Sequence, residues 1–175
     1  GVNAYSASGL TAVQVSDALF VGMKSGKTTV SELSAGLGQV IPLAAALGVN
    51  FDSLVAATAA LTLQGIGTSE AITGLRAILS AVSKPASEAT ELAKKLGLEF
   101  NSTALKTKGL AGFLEDETKK TGGSTDRLAK LFGSVEALNS ILALSGPGGA
   151  KFAEILDQMT RKAGSTDEAF KKMAE

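Results

Sequence analysis

Apolar residues recur every three or four positions through most of this chain, the spacing that places them on one face of an α-helix. The pattern is clearest in residues 44–85, where two apolar stripes are joined by the glycine-rich elbow Gln64-Gly65-Ile66-Gly67. Asn50 is positioned to begin the first helix, because its side-chain oxygen can accept a hydrogen bond from a free backbone N–H. Lys84-Pro85 ends the second helix, since the residue before proline is pushed out of the helical region. The pattern therefore predicts a helical hairpin.

The two stripes of this hairpin define its apolar faces. The second helix is expected to begin at Thr68 or Ser69. The elbow glycines, Gly65 and Gly67, are expected to lie between the helices, where a positive φ would favour glycine. The first face consists of Phe51, Leu54, Val55, Thr58 and Leu61, and the second of Ile72, Leu75, Ile78, Leu79 and Val82.

Glycine followed closely by Ser, Thr, Asn or Asp recurs along the chain, and each occurrence indicates the end of one helix and the start of another. Two starts have the form of a capping box, Thr29-x-x-Glu32 and Ser165-x-x-Glu168. The predicted fold is all-α, a multi-helix bundle of short helices and hairpins with glycine-rich elbows. Its helices are predicted at 11–24, 29–36, 39–47, 51–64, 69–83, 86–96, 110–121, 125–132, 134–144, 149–163 and 166–174.

One stretch, Leu98 to Lys108, lacks helical periodicity and is predicted to form a short extended piece or a hinge. It separates an Ala-rich first part from a more charged second part. We therefore expect residues 1–175 to form a single domain with a hinge or sub-domain boundary near 98–109. Beyond it, the run Gly146-Pro147-Gly148-Gly149 is expected to interrupt the helical pattern. An apolar stripe runs across Gly133 through Leu128, Leu131, Phe132, Val135, Leu138, Ile141 and Leu142.

Several segments in this order resemble the conserved core region of phage tail tape measure proteins, over roughly residues 10–160. No single motif is specific, but their order and spacing together are characteristic. The segments are Ser16-Asp17-Ala18-Leu19-Phe20, Gly26-Lys27-Thr28-Thr29, Ser31-Glu32-Leu33, Pro42-Leu43-Ala44, Leu47 to Leu54, Gln64-Gly65-Ile66, Ala71 to Arg76 with Leu79, Lys84-Pro85, Leu96-Gly97, Leu131-Phe132-Gly133 and Ala137-Leu138.

The resemblance implies a structural component of a phage or prophage tail. In that family an elongated helical protein occupies the tail lumen, sets tail length during assembly and leaves when DNA is ejected. The implied partners are other copies of the chain and tail tube or tail assembly proteins. The implied location is the lumen or tip of the virion tail, with the host cytoplasm during assembly. Fully helical, 175 residues would span about 260 Å, so the glycine-broken segment is expected to be a module beside the ruler.

Composition excludes several other classes of protein. Hydrophobic residues make up 45% of the chain, enough for a packed core, and Lys plus Arg equals Asp plus Glu at 17 each. This balance, without a block of like charge, argues against direct binding of nucleic acid. The chain has no cysteine and no histidine, which removes thiol and imidazole chemistry. We expect no enzyme activity, cofactor, metal site or small-molecule substrate.

The segment from Gly22 to Thr28 looks like a phosphate-binding P-loop, but it has three residues between its glycines where a P-loop has four. Ala12, Val15, Leu19 and Met23 predict a helix before it, whereas a P-loop follows a strand. The favoured interpretation is a helix end at residues 24–26, with Lys27 as a solvated side chain and Thr29 as the next cap.

Carboxylates offer another route to catalysis. Glu115, Asp116 and Glu117 are successive and lie beside Lys119 and Lys120, which predicts a solvated helix face. Nothing selects the separated acid pair that a muramidase-like enzyme needs. Arg76 is the one charge within an apolar helix, and its stem is expected to lie along the surface. The seven Phe and one Tyr form no base-stacking platform.

Two uncharged stretches, Leu33 to Phe51 and Ser53 to Ser69, raise the question of membrane insertion. The longest uninterrupted apolar run in the first, Val40 to Leu47, is far shorter than the roughly 20 residues that a spanning helix needs. Buried helix is therefore favoured over membrane contact. A generic helical interaction module and a membrane-active segment used in DNA ejection remain the alternatives.

Overall fold

The computed structural model describes residues 11–159 and 161, which contain ten α-helices and no strand. The all-α prediction is confirmed. The helices are α1 Ala12–Ser25, α2 Val30–Leu37, α3 Ile41–Ala46, α4 Phe51–Leu63, α5 Thr68–Ser83, α6 Ser87–Leu96, α7 Ser102–Lys120, α8 Thr125–Phe132, α9 Val135–Ala143 and α10 Pro147–Met159. The helix predicted at 166–174 and the capping box at Ser165 lie outside the described residues.

Side-chain caps explain why several helices begin where they do. The Asn50 Oδ1 accepts a hydrogen bond from the Ser53 N–H at 2.8 Å, as the sequence predicted. Thr11 and Gln14 form a reciprocal capping box at the start of α1. Side-chain oxygens cap further helices in the same way at Thr29, Asn101, Ser124 and Ser134.

Helix α4 lies at the centre of the fold and is buried on all sides. The residues predicted for its apolar face are buried, and burial extends around the helix to every residue from 53 to 62. A helix that is apolar around its whole circumference belongs inside a core. Helices α1, α5 and α10 pack against α4, and α2, α8 and α9 pack against α5.

Glycine allows a close contact between α5 and α9. A Cβ atom at Gly74 of α5 would overlap the buried Ser140 side chain of α9. Since the space between the two backbones is already filled, α5 and α9 can approach this closely only with glycine at position 74.

The elbow between α4 and α5 contains one glycine in the left-handed region. Gly65 has φ 89°, and the Ile66 N–H donates to the Leu61 carbonyl, which closes α4 in a Schellman motif. Gly67 has φ −62° and is the N-cap of α5, without a side-chain hydrogen bond. The elbow prediction is confirmed, but only Gly65 requires glycine for its backbone conformation.

Helix α7 begins earlier than the sequence predicted. Residues 102–108 are helical, because the Asn101 Oδ1 caps the Ala104 N–H at 2.8 Å and Leu105 is buried. With only Ala104 and Leu105 facing the core, this short turn shows no visible period. Gly109, at φ 75° and ψ 165°, then kinks the helix, and residues 110–120 continue beyond it. Only residues 98–101 of the stretch predicted as extended or hinge are non-helical.

Two predictions in the second part were wrong in detail. The stripe across Gly133 is not continuous: Gly133 has φ 73° and turns the chain, which leaves Val135 68% exposed and Leu142 37% exposed on α9. The helix predicted to begin at residue 149, after the glycine run, begins earlier. Helix α10 starts at Pro147, within that run, and proline is a favoured first helical residue.

Candidate functional site

The P-loop look-alike has a packing role. A Cβ at Gly26 would lie 2.9 Å from the Ala59 Cα and 2.8 Å from the Thr62 Oγ1 of α4. A Cβ at Gly22 would collide with the Val55 side chain. Both glycines therefore allow α1 and the turn after it to approach α4.

Backbone hydrogen bonding in this turn also opposes nucleotide binding. The Lys27 N–H donates to the Thr62 Oγ1 at 2.9 Å, so a group that a P-loop would direct at phosphate is already bound. A helix precedes the turn, and the Lys27 side chain is exposed. The helix-end interpretation of this motif fits every one of these observations.

Three side chains join this turn to the hairpin. The Thr68 Oγ1 donates to the Glu32 carboxylate at 3.0 Å, the Thr28 Oγ1 donates to it at 3.3 Å, and the two hydroxyls are 2.7 Å apart. Thr68 is the first residue of α5, so the predicted start of this helix at Thr68 or Ser69 is confirmed. The capping box predicted at Thr29 forms only in part: the Thr29 Oγ1 accepts from the Glu32 N–H at 3.0 Å, while the Glu32 side chain bonds the threonines.

The acidic cluster of α7 is not uniformly solvated. Glu115 is exposed, but Glu117 is 0% exposed and neither of its carboxylate oxygens has a hydrogen-bond partner in the part of the chain that the structure describes. The prediction of a solvated face was wrong at Glu117, because this residue lies on the buried face of the helix. Its spacing, four residues after Phe113 and three after Leu114, is the signal that could have located it.

Burial has a direct chemical consequence for Glu117. Desolvation raises its pKa to about 7, with a further contribution from the negative charge of Asp116. The neighbouring Asp116 behaves differently. Its Oδ2 lies 2.6 Å from the Lys108 Nζ, and this hydrogen bond lowers the pKa of Asp116 and raises that of Lys108.

The other sequence candidates lie apart from one another. Arg76 is exposed on α5, as expected of a stem along the surface. The Phe100 ring contacts Phe113 and Phe132 at centroid distances of 6.0 and 5.2 Å within the core, so these aromatic residues serve packing. In the described part of the chain, no group of acidic residues could hold a metal ion and no helix is long and apolar enough to cross a bilayer.

Hollows lie on the surface that the described residues form. One, of about 390 Å³, lies between α7 and the start of α10 and is lined by residues that include Ala111, Leu114 and Phe152. Another, of about 360 Å³, lies between α5 and α9 and includes Glu70 and Glu136. In the first hollow the Ser145 hydroxyl donates to the Leu142 carbonyl at 2.7 Å and not to a carboxylate.

The described residues thus form a packed helical module whose distinctive motifs make helix contacts. The chain belongs to the phage-related minor tail protein family, whose sequence profile matches residues 1–134. It is therefore a structural protein of a phage tail, and the resemblance to tape measure proteins is confirmed.

Two relatives carry the tape measure name. The probable tape measure protein of Clostridium phage phiCD119 is 30% identical over 183 aligned positions, which cover 99% of this chain and 19% of the relative. The tape measure protein of Pneumococcus phage Dp-1 is 29% identical over 157 positions, which cover 83% of this chain and 13% of the relative. The chain thus spans less than a fifth of these relatives. No solved structure matches it significantly.

Proposed function

We propose that this chain is a compact module of a tail tape measure protein that acts in tail assembly through packing, without catalysis, while the longer tape measure chain determines tail length. The observation that carries the proposal is the family match over residues 1–134. Several of the motifs behind the resemblance lie at helix ends or helix contacts around α4 and α5, which supports a role through packing. The Gly26 turn, the Asn50 cap and the Gly65 elbow are examples.

The module acts beside the ruler and not as the ruler itself. Eight glycines of the described residues have positive φ and turn or kink the chain, so its helices fold back on one another. An extended helix of this length would instead measure about 260 Å. Length determination then belongs to the longer tape measure chain, to which this module contributes a folded unit.

Residues 1–175 act as one unit in this proposal. Core residues from both sides of the 98–109 boundary pack in the same cluster, including Leu79 before it, Phe100 within it and Leu128 beyond it. The kink at Gly109 provides a joint inside the unit. It does not separate two independent cores.

The partners in this proposal are tail tube or tail assembly proteins and other copies of the chain. The location is the lumen or tip of the virion tail, reached from the host cytoplasm during assembly, and the module takes part in DNA ejection when the tape measure leaves. Equal numbers of acidic and basic residues support the absence of direct nucleic-acid contact.

A deletion in the phage tests the proposal. Removing residues 1–175 in frame is expected to reduce the number of intact tails, while the tails that form keep their normal length in electron micrographs. Normal tail numbers with tails shortened by about 260 Å would contradict it, because that is the loss expected of an extended helical ruler. A liposome leakage assay with the isolated chain tests the membrane alternative, and we expect no leakage.

A further inference from the structure

Residues 110–121, the second half of α7 and its C-cap, form a helical segment between two glycine joints. Gly109 precedes it with φ 75° and ψ 165°. Gly122 and Gly123 follow it with φ 67° and 72°. Glycine adopts such conformations without steric cost, so the chain can change direction at both ends of this segment.

The segment has one unusual residue on its buried face. Glu117 lies in the middle of this face, has no exposed surface and has no hydrogen-bond partner for either carboxylate oxygen among the described residues. A buried carboxyl without partners favours its neutral, protonated form, because the ionised form would lose its hydration without compensation. The other residues of the face are Leu110, Phe113, Leu114 and Thr121.

We propose that the 110–121 segment is a proton-controlled latch, seated on the core while Glu117 is protonated and released about its glycine joints when Glu117 ionises. Release would carry the carboxylate into water. The proposal goes beyond a role in tail assembly, because it assigns a conformational device to one helix.

The charges around Glu117 allow this behaviour. On α7, Asp116 opposes ionisation, while Lys108 and Lys120 favour it. The Nζ atoms of Lys108 and Lys120 form ion pairs with the Asp116 Oδ2 at 2.6 and 3.6 Å, and not with Glu117. The charges that shift the pKa of Glu117 thus all lie on α7. The other helices packed against α7 carry charged residues as well: Asp52 on α4, Glu70 and Arg76 on α5, and Lys151, Glu154 and Asp157 on α10.

The composition of the chain isolates this titration. The sequence contains no histidine or cysteine, and burial raises the pKa of Glu117 to about 7. Glu117 is a described side chain whose pKa burial raises toward neutrality. A change between pH 5.5 and pH 8.5 that depends on residue 117 would report this group.

The surroundings of the segment leave space for movement. The 390 Å³ hollow lies between the 110–121 segment and the first turns of α10. On the side of the segment it is lined by Ala111, Leu114 and Thr118. Release would join this hollow to the face that carries Phe113. The opened module would then present a larger apolar surface to another tail component.

A distance measurement across the hollow tests the latch. Because the chain has no cysteine, spin labels can be placed at Lys119→Cys on α7 and Lys151→Cys on α10, both exposed positions. We expect a longer distance population at pH 8.5 than at pH 5.5. Between these two pH values, the shift of the pKa from 4.5 to about 7 allows the opening equilibrium to change roughly thirtyfold. The control pair is Ser69→Cys with Asn139→Cys, across the second hollow, and its distance should stay constant.

Variants at residue 117 decide whether the carboxyl is the cause. In Glu117→Gln and Glu117→Met, neither of which can ionise, the Lys119–Lys151 distance should stay short at both pH values. The Met variant serves if the buried amide of Gln prevents folding. Equal distances at pH 5.5 and pH 8.5 in the unsubstituted background would overturn the latch, and so would a pH response that persists without the carboxyl.

Discussion

The α4–α5 hairpin and the 110–121 segment of α7 are both packed into the core, but they treat buried polar groups differently. In α4 the Thr58 hydroxyl donates to the Leu54 carbonyl and the Thr62 hydroxyl to the Ala59 carbonyl, each at 2.7 Å. In the 110–121 segment the Glu117 carboxyl has no hydrogen-bond partner within residues 11–159 and 161. A bonded threonine hydroxyl does not ionise near neutrality and leaves stability independent of pH there, whereas a buried carboxyl without partners makes stability pH-dependent.

The difference follows from the side chains and not from the depth of burial. Thr can satisfy its hydroxyl within its own helix, because the carbonyl three or four residues earlier is within reach. A carboxylate is an acceptor only, and a helix interior offers it no free N–H. The packing of the hairpin is thus suited to stay the same as pH changes, whereas the packing of the 110–121 segment depends on the protonation of Glu117.

The largest expected effect is on the hairpin. Leu75→Ala removes a fully buried side chain and should lower the free energy of unfolding by about 2–5 kcal/mol. Arg76→Ala, at the exposed neighbouring position, should change it by less than about 0.5 kcal/mol. Urea denaturation followed by circular dichroism measures both. Equal losses in the two variants would show that α5 does not face the core as described.

The next effect concerns α7 and pH. Burial raises the pKa of Glu117 from 4.5 to about 7, so the folded chain holds a proton that the unfolded chain releases. Stability should therefore fall as pH rises from about 4.5 to 7 and stay level above that range. A shift of this size corresponds to roughly 3 kcal/mol.

Glu117→Gln is the variant that isolates this term. It should remove most of the slope between pH 5 and pH 7 in denaturation midpoints, because the amide does not ionise. Glu115→Gln, on the exposed face of the same helix, should leave the slope in place. A slope that survives at position 117 would assign it to another group.

A smaller effect distinguishes the two elbow glycines. Gly65→Ala should cost about 1 kcal/mol, since φ 89° disfavours a Cβ although no atom lies within 4 Å of it. Gly67→Ala should be tolerated, because φ is −62° and the surrounding space is open. Thermal melts of both variants provide the comparison. Full tolerance at Gly65 would contradict the left-handed elbow.

The smallest expected effect is at Lys27. Lys27→Ala should change stability by less than about 0.5 kcal/mol, since the side chain is exposed and the backbone N–H bond to Thr62 remains. Calorimetry with ATP and GTP should detect no binding to the unsubstituted chain. A nucleotide affinity that disappears in Lys27→Ala would restore the P-loop interpretation.

Local rules predicted the hairpin and most helix limits well. Asn50 and Gly65 act through hydrogen bonds and backbone angles within a few residues, so the sequence carries the full signal. The helix at 125–132 has the predicted limits, for the same reason.

Contacts distant in the chain could not be predicted in this way. The hydrogen bond between Thr68 and Glu32 spans 36 residues, so the local pattern that predicts the start of α5 gives no sign of it. The helical turn before Gly109 buries only two residues, too few to show a period. The acidic neighbours of Glu117 indicate a solvent-exposed helix face, whereas its spacing from Phe113 indicates a buried one. The packing of α7 against other helices shows that Glu117 is buried.

The central claim, that a packed module of this chain is required for tail assembly, is tested most directly by counting tails. Phage carrying Leu75→Asn, which places a polar group in the core, should yield few intact tails in electron micrographs. Phage carrying Arg76→Ala should yield normal numbers of tails. Normal tails from a Leu75→Asn chain that is demonstrably unfolded in isolation would contradict the account.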